Sequence, residues 1–366
     1  MRIPLVSALT AVALAFPAPA LAAGGAQAGR AAPATVCAIG DKRLDELSGM
    51  VAQGDGYVVV NDGVDQASHR KIFFLNSRCR VTRAVSYPSR PRDTEDLARA
   101  ADGTLWIGDI GDNGGSRSTI ALWKLAPGAK SPTLYRLTYP DGPHDAEALL
   151  AAPDGTPVIV TKNAGAAGLY TPAGPLSRGK ATRLTRAGAV DLPPSTTSNP
   201  FSFLGRAYIT GAATSPDGRH VALRTYADAF EFDVSGNDVV KALTSTTPRQ
   251  IPLPDEPQGE SVTYSADGRS LLTVSESSGE QAGARPVILR YPLPDRPAAS
   301  PSVASPSVAS PSVASPSPDA ALPRPTAVSD PEQLPFNYIA VVAGAASLLG
   351  VALAAVLVLR NRARKR

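Results

Sequence analysis

An Asp-Gly pair recurs five times along the chain, at intervals of 47, 52, 63 and 50 residues. Each pair stands between two short runs rich in Val, Leu, Ile and Thr. This pattern is typical of a tight β-hairpin, because glycine tolerates the positive φ that such turns need. A hairpin that returns about every 50 residues predicts a repeated β unit. The five pairs are Asp55-Gly56, Asp102-Gly103, Asp154-Gly155, Asp217-Gly218 and Asp267-Gly268.

Further β-rich runs follow each hairpin, so a unit of about 50 residues can supply four short strands. Such a unit is typical of one blade of a β-propeller, whose blades surround a central channel. The fold is therefore expected to be all-β, a β-propeller with five blades favoured. Six blades remain open if the termini or the 63-residue interval add strands. An irregular β-sandwich is the competing fold, but it gives no reason for one turn to recur. No long helix is expected in this part of the chain.

The excess of basic residues lies at the two ends of the chain. The sequence has 36 Lys and Arg residues, 32 Asp and Glu residues and a net charge of +4. Six of the basic residues are Arg2 and those of the segment 360–366, which leaves 30 basic against 32 acidic residues between them. A chain that is slightly acidic between its ends shows no general phosphate-binding face, so nucleic acid is not an expected partner.

The first 22 residues have the pattern of a secretory signal peptide, with a basic residue followed by an apolar run from Leu5 to Phe16 and then small residues. Cleavage before Ala23 is expected. An uncleaved anchor is the alternative, although the apolar run is short for a hydrocarbon core of ~30 Å. Residues 23–296 would then form the exported β-propeller ectodomain.

Residues 297–337 are rich in Pro, Ser and Ala, and Pro-Ser-Val-Ala-Ser occurs three times between Pro301 and Ser315. Proline at this density prevents helix and sheet and favours an extended polyproline II conformation. The segment is therefore predicted to be a disordered, low-complexity linker that separates the propeller from the C-terminal residues.

Residues 338–359 contain no charged side chain and are long enough to span a bilayer as one helix. The basic tail 360–366 is expected to stay in the cytoplasm by the positive-inside rule. These features predict a single-pass protein of the cell membrane with an extracellular ectodomain. Small residues at a spacing of four leave a helix-mediated dimer open, and they are Ala346, Gly350 and Ala354.

The chain has two cysteines, Cys37 and Cys79. A disulfide is the expected state of two cysteines in an exported domain. It would join the N-terminal segment to the outer strands of the first unit. A catalytic thiol is the alternative.

Two columns of residues stand at fixed distances from the turn aspartates. Because the first strand of each unit runs toward its turn and the second runs back, both columns should lie at the same mouth of the channel. The first column, seven residues before each Asp, contains Ser48, Glu95, Glu147, Thr210 and Glu260. The second column and its neighbours supply the predicted ligand-binding residues, Asp62, Asp109, Lys162, Arg224 and Glu276. The alternative role for the glutamates is hydrogen bonding to backbone amides between blades.

Carboxylates crowded at one mouth raise one another's pKa unless cations bind there, and flexible loops with oxygen ligands suit Ca²⁺. The best local candidate for a metal site is Asp109, Asp112 and Asn113, which stand close together in a glycine-containing loop. It lacks the spacing of an EF-hand. Ordinary Asx turns, in which these side chains bind their own backbone, are the alternative.

Two stretches resemble the phytase-like propeller family, named for its esterase-like phytase activity. The first runs from Asp93 through Glu95 and Asp96 to Asp109, and the second runs from Gly259 to Glu276. The turn Ser-Pro-Asp-Gly-Arg at 215–219 is also similar to that of WD40 and TolB-type blades. The resemblance implies a propeller with a Ca²⁺-assisted phosphate-ester site at its channel mouth. The residues that match are Glu95, Glu147, Glu260, Asp109 and Glu276.

The fourth unit departs from this pattern, because Thr210 and Arg224 stand where acids are expected. We therefore expect first a binding protein that recognises an extracellular ligand or protein through one rim of its channel. The alternative is a Ca²⁺-dependent phosphoesterase or esterase at the same rim. The candidate catalytic residues for that alternative are Glu95, Glu147, Glu260 and His144.

Overall fold

The structure, a computed structural model, describes residues 32–63, 66–277, 280 and 283–294. Within those ranges no helix has the length and apolar character needed to cross a membrane. The predicted signal peptide, linker, membrane span and basic tail all lie outside the described ranges, and so does the small-residue spacing expected of a helix dimer.

Twenty strands form five groups of four, and β1 (Ala34–Ala38) belongs to the last of them. Blade 1 contains β2 (Leu47–Gln53), β3 (Gly56–Asn61), β4 (Lys71–Leu75) and β5 (Val81–Ser86). Blade 2 contains β6 (Asp96–Arg99), β7 (Leu105–Asp109), β8 (Ile120–Leu125) and β9 (Thr133–Thr138). Blade 3 contains β10 (Ala146–Ala151), β11 (Pro157–Thr161), β12 (Ala167–Pro172) and β13 (Thr182–Val190). Blade 4 contains β14 (Ile209–Thr214), β15 (His220–Thr225), β16 (Asp228–Asp233) and β17 (Arg249–Pro252). Blade 5 contains β18 (Gln258–Tyr264), β19 (Ser270–Glu276), β20 (Val287–Pro292) and β1.

The first strand of each group lies innermost, and these five strands form a closed ring. Each contacts the next in chain order, and β18 of the last blade contacts β2 of the first. The antiparallel sheets radiate outward from this ring, so the described part of the chain is a β-propeller, as the recurring turns predict. It closes with five blades, and the described residues contain no sixth sheet in the ring.

The ring is closed by the N-terminal strand. β1 pairs antiparallel with β20 and thereby becomes the outermost strand of blade 5. The disulfide between Cys37 on β1 and Cys79 beyond β4 crosses the same junction, which confirms the predicted pairing. Closure therefore combines backbone hydrogen bonds within blade 5 and a covalent bond to blade 1.

Apolar side chains fill the five gaps between neighbouring blades. The gap between blades 1 and 2 holds Val60, Ile72, Leu97, Ile107 and Trp123, all of them buried. Four similar clusters lie between the other neighbours around the ring. Because both faces of each sheet meet another sheet, the strands consist largely of consecutive apolar residues rather than an alternating pattern.

The Asp-Gly turns have the conformation that their sequence predicts, with one variation. In blades 2 to 5 the glycine takes a positive φ, for example 84° at Gly103. The preceding aspartate accepts a hydrogen bond from the amide two residues on, as Asp102 does from Thr104 at 2.8 Å. In blade 1 the positive φ falls instead on Gly54, at 60°. A Cβ on Gly56 would lie 2.0 Å from the carbonyl oxygen of Leu75.

Two features interrupt the regular pattern. The outer strands β9 and β13 pair in parallel and join the sheets of blades 2 and 3. Two short helices, α1 (Leu204–Ala207) and α2 (Val239–Ser245), lie before and within blade 4. The sequence analysis did not predict α2. Its first turn is capped by Asp238, which accepts from the amide of Lys241, and it buries Val239 in the cluster between blades 3 and 4.

Candidate functional site

Eight carboxyl groups gather where the inner strands begin, and we call this end of the channel the carboxylate mouth. The loops before the inner strands and the ends of the second strands both reach this mouth. Its acidic residues are Glu46, Asp62, Asp93, Glu95, Asp145, Glu147, Glu260 and Glu276. Burial, and after it the charges of neighbouring carboxylates, raises the pKa of Glu46, Asp62, Asp93, Glu95, Glu147 and Glu276. The opposite end holds a cavity of about 240 Å³ lined mainly by Ala, Gly and Pro.

A repeated β-bulge aims the first column of residues at the carboxylate mouth. The pairing of the innermost strand with its neighbour shifts register at Ser48, Glu147, Thr210 and Glu260. In blade 2 the corresponding residue, Glu95, directly precedes β6 and donates its amide to the carbonyl of Gly108 at 2.8 Å. Bulges redirect a side chain out of the regular pleat. The spacing in the sequence therefore corresponds to one repeated backbone feature.

Asp62, Asp93 and Glu95 form the tightest acidic group, with one oxygen from each within 4.8 Å of the others. Asp62 follows β3, and the other two precede β6. Glu95 is 4% exposed. Burial disfavours the charged form of its carboxylate, and the charges of Asp62 and Asp93 add to that cost. The group therefore needs protons, a cation or a ligand to offset its charge.

Two glycines make room for this group. A Cβ on Gly111 would lie 2.0 Å from Oε1 of Glu95, and one on Gly63 would lie 2.2 Å from Oδ1 of Asp93. The carboxylates pack directly against the backbone at both positions. Larger residues there would push these oxygens out of place, so the glycines are part of the site.

The pKa values of Asp62 and Glu95 are raised by burial and by the neighbouring carboxylates. Burial, followed by the charges of Glu260 and Asp93, raises the pKa of Asp62 to about 8. Burial and the charge of Asp62 raise the pKa of Glu95 well above its usual range. Hard oxygen ligands held this close together fit a divalent cation such as Ca²⁺, whose ligand oxygens lie about 2.3–2.6 Å from the ion. A separation of up to 4.8 Å is about what two oxygens on opposite sides of such an ion would show.

Lys162 stands on the side of the mouth formed by blade 3. Its ammonium group pairs with Oε1 of Glu147. Although burial alone would lower it, the charge of Glu147 keeps the pKa of Lys162 well above its usual value. The second oxygen of Glu147, Oε2, is buried without a hydrogen-bond partner. One acceptor on this side therefore remains unused.

Blades 5 and 1 are linked across the mouth by Glu260. Its oxygens accept from Oγ of Ser48 and from Nε2 of Gln258, both at 3.0 Å. Glu276 lies beside it, and burial, followed by the charges of Glu260 and Asp62, raises the pKa of Glu276 well above its usual range. Both of these donors are side chains, whereas the alternative role expected from the sequence was hydrogen bonding to backbone amides.

The loop predicted to bind metal is arranged around Arg117 instead. Asp109 accepts from the guanidinium of Arg117 at 2.8 Å and from the amide of Asp93 at 3.1 Å. Asp112 accepts from the amides of Ser116 and Arg117, four and five residues further on, so its side chain holds its own loop. Asn113 is exposed. The structure therefore does not bring Asp109, Asp112 and Asn113 together as a set of free ligand oxygens.

Arg224 is also placed differently from the sequence expectation. It is completely buried and donates to Glu256 at 2.9 Å and to the carbonyl of Ser261 at 2.8 Å. Glu256 accepts in addition from Thr273 and Tyr291. Arg224 therefore joins blades 4 and 5, and its guanidinium does not face a ligand.

His144 lies outside the acidic group. Its Nε2 is 3.0 Å from Asp141 and 2.9 Å from the hydroxyl of Tyr170, and its ring packs edge-on against Tyr139. These contacts fix the loop before β10 and leave this nitrogen engaged. The structure does not bring His144 into contact with Glu95, Glu147 or Glu260.

Sequence reasoning missed three residues that the structure makes central. Asp93 completes the tightest acidic group, and it stands only two positions before Glu95. Tyr226 follows β15. Burial and the charge of Glu147 raise its pKa, whereas the charge of Lys162 opposes that shift. Asp96 is buried among the inner strands and accepts the amides of Leu97, Leu149 and Ala212. Proximity to the glutamate column was the available signal for the two aspartates.

Comparison with known proteins adds little to this geometry. No protein-family model matches the chain. No curated protein matches it either. Among solved structures, a streptogramin B lyase is 12% identical over 70% of this chain and 97% of its own, with a TM-score of 0.37. Virginiamycin B lyase from Staphylococcus aureus is 10% identical over 68% of this chain and 66% of its own, with a TM-score of 0.35.

A third structure, described as a putative gluconolactonase, is 12% identical over 64% of this chain and 70% of its own, with a TM-score of 0.36. Likeness at this level carries no argument about activity. The assignment of the fold depends on the closed ring of five sheets, and the assignment of the site depends on its own side chains.

Proposed function

We propose that this protein binds an extracellular ligand at the carboxylate mouth, with a divalent cation held by Asp62, Asp93 and Glu95. The observation that carries the proposal is the convergence of three carboxylates, one oxygen each of Asp62, Asp93 and Glu95 lying within 4.8 Å of the others, with Glu95 only 4% exposed. The unpartnered oxygen of Glu147 supports it independently. Calcium is the cation of choice, because all three ligands are carboxylate oxygens.

The exported location belongs to the same proposal. The disulfide Cys37–Cys79 is a bond that persists in oxidising compartments, which supports a domain outside the cytoplasm. The charge-free segment 338–359 and the basic tail after it would anchor the domain to the cell membrane. A tag on the C-terminus should then be inaccessible on intact cells, and an accessible tag would contradict this topology.

The binding proposal is tested by thermal unfolding of the purified protein in excess Ca²⁺ and in EDTA. We expect Ca²⁺ to raise the melting temperature, since a ligand that binds only the folded state stabilises it. Replacement of Glu95 by Gln should abolish the Ca²⁺-dependent shift. Replacement of the exposed turn residue Asp154 by Asn serves as the matched control and should leave the shift intact. Equal melting temperatures of the unaltered protein in Ca²⁺ and EDTA would refute the proposal.

A Ca²⁺-dependent phosphoesterase of the phytase-like type is the second candidate function. The observation that favours it is Glu276, whose buried carboxyl has a raised pKa and is suited to donate a proton. In such a reaction the oxygen of a water molecule attacks phosphorus, the ester P–O bond breaks, and the alcohol leaves with the proton donated by Glu276. The proton lost by the water then returns to the Glu276 carboxylate. A screen of phosphate monoesters with Ca²⁺ tests it, with Glu276→Gln as the variant expected to lose turnover. No hydrolysis with Ca²⁺ would leave only the binding function.

A further inference from the structure

The ion pair between Asp109 and Arg117 lies beside the proposed cation site without belonging to its three ligands. The side chain of Arg117 is 5% exposed and that of Asp109 is 4% exposed. The guanidinium donates to Oδ1 of Asp109 at 2.8 Å and to the carbonyl of Asp109 at 3.0 Å. It also donates to the carbonyl of Gly111 at 2.6 Å. One buried side chain therefore fixes both ends of the segment from Asp109 to Gly111.

Asp109 extends this support to Asp93. Its Oδ1 accepts from the amide of Asp93 at 3.1 Å, and its Oδ2 accepts from the amide of Arg92 at 3.1 Å. The carbonyl of Asp93 in turn accepts from the amide of Gly111 at 3.3 Å. The backbone of Asp93 is thus held on both sides, by a carboxylate that Arg117 fixes and by an amide of the same segment.

Gly111 extends the support to Glu95. A Cβ on Gly111 would lie 2.0 Å from Oε1 of Glu95 and 2.7 Å from Oδ2 of Asp93, so its backbone packs directly against both carboxylates. Arg117 holds the carbonyl of Gly111, which ties this backbone to the ion pair. Two of the three proposed ligands are therefore supported through Arg117, while the third, Asp62, follows β3 of blade 1.

We propose that Arg117 is a positioning residue for the cation site, which presets the carboxylates of Asp93 and Glu95 in the Ca²⁺-free protein. This inference deepens the proposed function and rests on it. Groups behind the ligands of a metal orient those ligands before the ion binds, and their loss typically costs ~10–100-fold in affinity. Arg suits this role better than Lys, because its planar guanidinium holds three acceptors at once in fixed directions.

A purely structural ion pair is the competing interpretation, and the chain offers a matched control for it. Arg224 and Glu256 form a second buried ion pair, with side chains 0% and 2% exposed. Arg224 also donates to the carbonyls of Thr225 and Ser261, and none of these partners belongs to the three ligands. Loss of either guanidinium should lower stability, but only loss of Arg117 should weaken cation binding.

Isothermal titration calorimetry with Ca²⁺, carried out well below the melting temperature of every variant, tests the inference on the purified protein. Arg117→Met should weaken Ca²⁺ binding ~10–100-fold. Arg117→Lys keeps the positive charge but loses the fork of donors, so its affinity should lie between those of Arg117→Met and the unaltered protein. Arg224→Lys should leave the dissociation constant within about twofold of the unaltered value.

Melting temperatures in EDTA separate positioning from stability. All three variants should melt below the unaltered protein, because each disturbs a buried ion pair. If Arg117→Met does not fold, Arg117→Lys carries the test alone. An unchanged Ca²⁺ dissociation constant in the folded Arg117 variants would overturn the inference and leave the cation site intact.

Two further outcomes would also count against the inference. Equal weakening of Ca²⁺ binding by Arg224→Lys would overturn it, since the effect would then follow stability and not position. Absence of Ca²⁺ binding by the unaltered protein would refute the proposed function itself, and the inference with it.

Discussion

The carboxylate of Asp96, at the start of β6, accepts a hydrogen bond of 3.1 Å from the amide of Ala212 on β14, two blades away. The same oxygen accepts from the amide of Leu149 on β10 at 2.8 Å. Three inner strands are thus joined through one side chain at the centre of the ring. Asp96 directly follows Glu95 of the acidic group, so a movement of these strands would also move that group.

Replacement of Asp96 by Ala should therefore destabilise the fold strongly. Three buried amides lose their acceptor, and each unsatisfied group costs about 1–3 kcal/mol. We expect a loss of at least about 3 kcal/mol in the free energy of unfolding, measured by urea titration. Asp102→Ala, at an exposed turn, is the control and should cost about 1 kcal/mol or less. Similar losses in the two variants would contradict the central role of Asp96.

The buried pair Arg224–Glu256 should behave as a structural pair and not as a ligand contact. Arg224→Met leaves Glu256 as an uncompensated buried charge, which typically costs about 3–5 kcal/mol. Ca²⁺ binding by the folded fraction should persist, because Arg224 does not belong to the acidic group. Unfolding curves and Ca²⁺ titrations on the same preparation separate the two effects. A stable Arg224→Met variant that has lost Ca²⁺ binding would show that Arg224 belongs to the ligand site.

The stability of the Ca²⁺-free protein should fall as pH rises. Asp62 has a folded-state pKa of about 8 against a usual value of 3.8, so it takes up protons more readily in the folded state. Such a group stabilises the fold fully below the lower value, and the contribution is lost as pH rises through about 8. Glu95 and Glu276 shift in the same direction.

Melting temperatures from pH 5 to pH 9 in EDTA test this prediction. We expect a decline across that range and a smaller one in saturating Ca²⁺, which would take the place of the protons. Asp62→Asn should flatten the EDTA curve, because the substituted side chain does not titrate. A Ca²⁺-free protein that becomes more stable toward pH 9 would be incompatible with the crowded carboxylates.

Loss of the disulfide should weaken the closure of the ring. Cys37 and Cys79 lie 42 positions apart, and a crosslink over a loop of that size contributes about 4 kcal/mol in the chain-entropy treatment. The double replacement of both cysteines by Ser should therefore lower stability by several kcal/mol, with β1 exchanging its amide hydrogens faster than β18. Hydrogen exchange measured by mass spectrometry checks the second point. Unchanged protection of β1 would mean that strand pairing alone holds the junction.

The sequence was informative where structure is local. An Asp-Gly turn is decided by a few neighbouring residues, so its recurrence predicted the blades and located the bulged positions Ser48, Glu147, Thr210 and Glu260. The closing strand β1 was not predicted. It is short, and its pairing with β20 depends on residues some 250 positions away.

The hydrogen-bond and ion-pair partners of the candidate site residues could not be predicted from the sequence, for a related reason. Asp109, at the end of β7, and Asp93, before β6, are the same residue type, yet Arg117 pairs with Asp109 while Asp93 joins Glu95 and Asp62. Arg224 occupies a column position but turns toward Glu256, 32 residues further along the chain. Packing between blades decides which carboxylates keep oxygens without a hydrogen-bond partner. The spacing of residues along the sequence does not show this.

The most direct test of the cation site is equilibrium binding of Ca²⁺ by isothermal titration calorimetry, with unaltered protein, Glu95→Gln and Asp112→Asn compared. The account predicts one site per chain in the unaltered protein, no measurable binding after Glu95→Gln, and retained binding after Asp112→Asn. Binding that survives Glu95→Gln but disappears with Asp112→Asn would place the ion in the Asp109 loop and contradict the site described above.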